Sequence, residues 1–110
     1  MCGLADFDPG VIQVLQIEFI PEAVDDLRSF RKHDQQRIIA VIESQLPYQA
    51  SEPSRNRKRL RPNELAEWEL RVGDFRVFYD VDEAAGVVRI VAIGYKEGNK
   101  LFVHGEEYEL

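Results

Sequence analysis

Arg71 and Arg76 flank one turn, and that placement gives the chain its clearest chemical possibility. Trp68, Leu70 and Val72 alternate with Glu69 and Arg71; after Gly73-Asp74, Phe75, Val77, Tyr79 and Val81 alternate with Arg76, Phe78 and Asp80. Period-two alternation on both sides of a Gly-Asp pair predicts a β-hairpin with one apolar face. Trp68 and Tyr79 then belong to the core. The other face carries both arginines close to the turn, where two permanently charged planar forks can meet phosphate oxygens. Glu69 shares that face. An acid there repels phosphate, so its expected role is to pair with Arg71, ahead of serving as a base.

A second concentration of charge precedes the hairpin. Arg55, Arg57, Lys58, Arg59 and Arg61 place five bases and no acid within seven residues. The whole chain has twenty acids against fourteen bases, a net −6; without this segment nine bases remain against twenty acids. An acidic body with one basic segment is polarised, and polarisation steers a polyanion to one face. These five residues are therefore the expected contacts for a polyanion such as RNA; a solvated basic loop is the plainer reading of the same run.

Those side chains need a scaffold, and 110 residues make a single domain spanning 1–110. Residues 1–12 are expected to be loosely ordered and 105–110 to form an acidic tail. No run of 18 apolar residues exists to span a membrane. Met1 to Asp8 lacks the regions of a signal peptide, and Cys2, the single cysteine, cannot form an internal disulfide. The expected location is the cytoplasm. One Cys and two distant His offer no zinc spacing. No Ser/His/Asp arrangement, phosphate-cradling Gly-rich loop or helix-turn-helix pattern is present, so neither metal nor cofactor is expected.

Val11 to Phe19 reads as the first strand, with Leu15, Ile17 and Phe19 on one face. Pro21 suits a first helical position, followed by Glu22, Asp25 and Asp26 and the stripe Val24, Leu27, Phe30. Asp34 is the expected N-cap of a second helix that carries Ile38, Ile39, Val41, Ile42 and Leu46 and stops at Pro47. The two helices should form an antiparallel hairpin. Tyr48 to Ser54 reads as a loop, Glu83 to Gly86 as a turn and Val87 to Ile93 as a central strand; Gly94 to His104 is less regular. The order β-α-α-β-β-β predicts an α+β fold: a two-helix hairpin on one face of a small, twisted, mainly antiparallel sheet of about four strands. The opposite face should be open, concave and lined by Arg71 and Arg76.

Leu-Arg-Val-Gly-Asp-Phe-Arg-Val (70–77) resembles the hairpin signature of the RelE/ParE family of toxin–antitoxin toxins. Leu15 to Leu27 is similar to that family's opening strand and first helix, and Ile93 to Phe102 to its last strand and the segment beyond, so the resemblance runs from about Ile17 to Phe102. It implies the same fold and a toxin held inactive by a cognate antitoxin. For RelE-type members it implies a metal-independent endoribonuclease that cuts mRNA, free or on the ribosome, and inhibits translation. A ribose 2′-hydroxyl attacks the adjacent phosphate while basic residues stabilise the transition state.

Carried over by position, Arg76 matches the family's hairpin arginine. Arg71 sits where members place a lysine or arginine on the preceding strand, and Lys96 where active members carry a basic residue. The family's catalytic tyrosine falls on Phe102, which can neither give nor take a proton. His104, two residues on, is the nearest acid–base replacement, with an exposed tail histidine as the plain alternative; Tyr95 and Tyr108 are weaker substitutes. The favoured reading is a RelE-type ribonuclease, for which Arg71, Arg76, Lys96 and the basic segment argue; the alternatives are a ParE-type DNA gyrase inhibitor acting by binding, for which Phe102 argues, and a degenerate toxin-like binding partner.

Overall fold

The computed structural model describes residues 14–109. The expectations placed on Cys2, on 1–12, on the start of the first strand and on Leu110 lie outside them.

Strand β1 (Gln16–Phe19) alternates as anticipated, with Ile17 and Phe19 turned inward and Gln16 and Glu18 exposed. Helix α1 (Pro21–Arg28) starts on Pro21, with Glu22 in its first turn and Arg28 in its last, each complementing the helix dipole. Ser29 ends it, its hydroxyl donating to the Asp26 carbonyl at 2.6 Å.

Helix α2 (Lys32–Gln49) departs from expectation at both ends. It begins two residues before Asp34, with Arg31 as N-cap, so Asp34 supports the first turn from within. It also runs through Pro47. Proline near the last turn sacrifices one amide bond, to the Glu43 carbonyl on an exposed position, while the Pro47 carbonyl is taken by the Leu15 amide at 2.8 Å.

The remaining elements are β2 (Arg57–Arg59), β3 (Trp68–Val72), β4 (Phe75–Asp82), β5 (Val87–Glu97), β6 (Lys100–Val103) and β7 (Glu106–Tyr108). They form one sheet in the order β2-β3-β4-β5-β6-β7, with β1 parallel to β5 as a seventh strand. Two helices on one face of a mainly antiparallel sheet is the anticipated α+β fold, but with seven strands rather than about four. The difference comes from three segments. The basic run contributes an edge strand. The stretch after Ile93 continues β5 and folds back as β6, and the acidic tail pairs as β7. These strands are short or interrupted by Gly and Asn, so their alternation is weak in sequence.

β5 is long enough for β1 to take Val87–Ile90 and for β6 to take Tyr95–Glu97, both on the edge away from β4. The register with β4 slips between Phe78 and Tyr79, leaving Val91 bulged. In the gap between β1 and β6, the Ile93 amide donates to Asp26 Oδ2 of α1 at 3.0 Å, so a buried donor that no strand can reach is satisfied.

The main core lies between helices and sheet. Ala23 and Leu27 of α1 and Ile38, Ile42 and Leu46 of α2 pack on Trp68, Leu70, Val77, Tyr79, Val88 and Ile90. Trp68 stacks on Tyr79 at 6.2 Å, and the Tyr79 hydroxyl donates to the Ala50 carbonyl at 2.8 Å. The opposite face is not fully open. Phe78, Ala92, Leu101 and Val103 form a second core there, covered by Leu60, Leu65 and Ala66 of the β2–β3 connection. Asn63 shapes that connection: its Oδ1 accepts from the Leu65 and Ala66 amides while its Nδ2 donates to the Arg61 and Ala66 carbonyls. Burying a phenylalanine such as Phe78 contributes about 1.5–3 kcal/mol, which accounts for an aromatic among polar neighbours on that face.

Candidate functional site

The β3–β4 turn is where the chemistry gathers. Gly73 has φ +59°, the positive value that a two-residue hairpin turn needs at its first position. A Cβ there would also lie 2.8 Å from Arg37 Nη2, so the glycine lets a guanidinium from α2 settle against the turn. Gly94, opposite Arg76 on β5, is equally constrained: a Cβ would come 2.3 Å from the Phe102 carbonyl oxygen where β6 crosses.

Arg71 and Arg76 are direct cross-strand partners. Like charges in that position repel, and the pair resolves the conflict by dividing. Arg71 is exposed. Arg76 is 8 % exposed and folds onto the turn, its Nη1 donating to the Gly73 carbonyl at 2.8 Å and the Phe75 carbonyl at 3.0 Å. Its Nε lies 4.0 Å from Glu69 Oε2, so buried Glu69 pairs with Arg76 and not, as expected, with Arg71. Burial lowers the Arg76 pKa from its ordinary value; Glu69 opposes that shift and Arg71 adds to it. Arg76 thus braces the hairpin as well as charging it.

Arg71, Arg76 and Lys96 line one cleft of about 1170 Å³, together with Arg31 and Arg37. Five cations face the carboxylates of Asp34, Asp74 and Glu97 across half-buried Phe30, Phe75 and Tyr95. Among the described residues, Arg31, Arg37, Arg71 and Lys96 form no ion pair within 4 Å. Arg31 and Arg37 were missed from sequence because helix α2 offers its cations in a mixed-charge stretch; only the fold carries them to the hairpin turn.

His104 does not join this cleft. Its φ is +56°, in the turn between β6 and β7, and its Nδ1 lies 2.8 Å from Asp26 Oδ1, on the helical side. Phe102 is on that side too, stacked on Tyr95 at 5.3 Å, with Tyr95 edge-on to Phe30 at 6.3 Å. Tyr108 packs into the second core.

The basic segment also divides. Arg57 is 5 % exposed: its Nε donates to the Glu52 carbonyl at 3.0 Å and its guanidinium bonds Gln45 and Gln49 of α2, so this member ties the edge strand to the helix and offers nothing to a partner. Arg59 lies over Trp68 at 5.8 Å. Arg55, Lys58, Arg59 and Arg61 are exposed, and the last three line a second concavity of about 560 Å³ that reaches Lys96. Among the described residues no group of three or more His, Cys, Asp or Glu is arranged to hold a metal, and no helix is long and apolar enough to cross a membrane.

Residues 17–99 match the family described as the ParE toxin of the type II toxin–antitoxin system parDE. The chain belongs to this toxin family. Among solved structures, this ParE-family toxin is similar to a chain of the RelBE2 toxin–antitoxin complex of Mycobacterium tuberculosis, with 22% identity and a TM-score of 0.64, covering 76% of this chain and 92% of the other. It is also similar to a chain of the archaeal RelE–RelB complex of Pyrococcus horikoshii OT3, at 21% identity and a TM-score of 0.62, covering 77% and 97%. Both likenesses bear on the fold of the ParE-family toxin. No curated protein matches it.

Proposed function

We propose that this toxin acts by binding, as a ParE-type inhibitor of DNA gyrase, and is neutralised by a protein antitoxin. The carrying observation is the separation of the cations from His104 and from the tyrosine position at Phe102. A general acid or base must come within hydrogen-bond reach of the proton it moves. His104 is held by Asp26 on the helical side of the sheet, Phe102 has no proton to exchange, and Arg76 has its own bonds on the other side. Beside Tyr95, what the cleft holds is arginine and lysine interleaved with carboxylates, a set suited to a mixed-charge protein surface. The family match supports the toxin role, and the gyrase target is what the ParE-type resemblance implies. The similar Mycobacterium tuberculosis chain comes from a toxin–antitoxin complex and the Pyrococcus horikoshii chain from a RelE–RelB complex, which supports a protein antitoxin here.

A RelE-type ribonuclease acting on mRNA, free or ribosome-bound, is the second reading. It is favoured by the meeting of Arg71, Arg76 and Lys96 in one cleft and by the exposed Arg55, Lys58, Arg59 and Arg61 beside it. Induction in growing bacterial cells followed by pulses of labelled thymidine and labelled amino acid separates the two. The gyrase reading expects DNA synthesis to fail first, and the ribonuclease reading expects protein synthesis to fail first. In either case, co-expression of the antitoxin should restore growth.

A further inference from the structure

The end of the α1–α2 hairpin carries two concavities of opposite charge that share one aromatic wall. Ser29, Phe30 and Tyr95 line both the basic cleft and a neighbouring pocket of about 650 Å³. That pocket holds Glu22, Asp25 and Asp26, no lysine and no arginine. Asp26 has both oxygens engaged, by the Ile93 amide and by His104. Glu22 and Asp25 are exposed, sit three residues apart on one face of α1 and, among the described residues, make no ion pair within 4 Å.

Between the two concavities runs a half-buried aromatic ridge. Phe75 meets Phe30 at 4.8 Å, Phe30 meets Tyr95 at 6.3 Å and Tyr95 stacks on Phe102 at 5.3 Å. Partly exposed aromatics beside unpaired arginines are the composition of an interface centre. Opposite charges to either side of such a centre would set the direction and register of whatever crosses it, since complementary potentials orient a partner and like charges reject it.

We propose that this ridge docks one peptide segment of dipolar character: an apolar or aromatic side chain over Phe30 and Tyr95, acidic residues towards Arg31 and Arg37, and a basic residue towards Glu22 and Asp25. The proposal rests on the reading that a protein antitoxin neutralises the toxin, and it names the chemistry of the antitoxin segment that crosses the α1–α2 turn. An all-acidic segment satisfies only half of the surface and places like charge against Glu22 and Asp25.

The test uses the full chain and synthetic peptides of equal length with one central tryptophan. One is acidic then basic, one is basic then acidic, and one is acidic throughout. Binding is followed by anisotropy for the native protein and for the paired charge reversals Glu22→Lys with Asp25→Lys and Arg31→Glu with Arg37→Glu, each checked for an unchanged melting curve. One dipolar order should bind about tenfold or more tighter than the all-acidic peptide. Reversal at 22 and 25 should invert that preference, and reversal at 31 and 37 should weaken both. An all-acidic peptide that binds the native chain as tightly as either dipolar one, or a dipolar affinity unmoved by the change at 22 and 25, overturns the proposal. Growth inhibition by the native chain and its rescue by the antitoxin are read separately, so failure here leaves the toxin reading standing.

Discussion

Phe102 pairs with Tyr95 and Arg76 pairs with Gly94, so adjacent positions of β5 send these two side chains to opposite faces of one sheet. The bulge at Val91 lies upstream and does not alter this parity. The tyrosine position implied by the family resemblance and the hairpin arginine therefore do not share a face of the sheet.

Phe102→Tyr tests that separation. The new hydroxyl would emerge beside Tyr95 and the Glu22–Asp25 pocket. RNA incubated with the variant, free or on ribosomes, should show no cut ends beyond the native background. New cleavage in the variant would refute the assignment of faces.

Arg76 should behave as a structural residue. Arg76→Met removes the donor to two turn carbonyls and leaves buried Glu69 without its nearest cation. Leaving buried polar groups unsatisfied costs on the order of 2 kcal/mol, measurable by urea denaturation. Arg71→Met, its exposed cross-strand partner, should change stability by less than about 0.5 kcal/mol.

The hairpin, the two helices and the central strand were legible because their apolar residues repeat at clear periods over enough length. The faces of Arg71 and Arg76 were legible for the same reason. Depth was not, because alternation tells which way a side chain leaves the sheet and not what covers it. Arg76 and Phe78 are buried by a turn and by the 60–66 connection, neither of which has a period. Arg31 and Arg37 reach the cleft only through the packing of α2, and Arg57 is taken inward by Gln45 and Gln49. Lys96 was placed by resemblance to the family, and the cleft contains it. His104 was placed by distance along the chain, and a β-turn carried it to Asp26.

Within the basic segment, stability should separate residues that composition cannot. Arg57→Ala breaks two contacts to the end of α2 and one to the Glu52 carbonyl beyond it, and should lower stability by about 1–3 kcal/mol. Lys58→Ala and Arg61→Ala, both exposed, should stay within about 0.5 kcal/mol of the native protein. Thermal melts of the three variants decide it.

Tyr79 supplies a pH dependence. Its hydroxyl is buried and donates to the Ala50 carbonyl, and burial raises its pKa above the ordinary tyrosine value, with Arg57 pulling the other way. A raised folded-state pKa on an acid means the neutral form is favoured in the native protein. Its stabilisation is therefore complete below the unfolded pKa of about 10 and is lost as pH rises beyond it. Tyr79→Phe should cost about 1 kcal/mol near neutrality and flatten that alkaline decline in denaturation curves.

As a ParE-type gyrase inhibitor, the proposed function, this toxin inhibits by binding and not by cutting RNA. The most direct measurement adds the purified chain to DNA gyrase and relaxed plasmid in one arm and to translating ribosomes with mapped RNA ends in the other. The expected result is a stoichiometric loss of supercoiling, relieved by the antitoxin, and an RNA end profile identical to that without toxin. Undiminished supercoiling together with new RNA ends at substoichiometric toxin would contradict it.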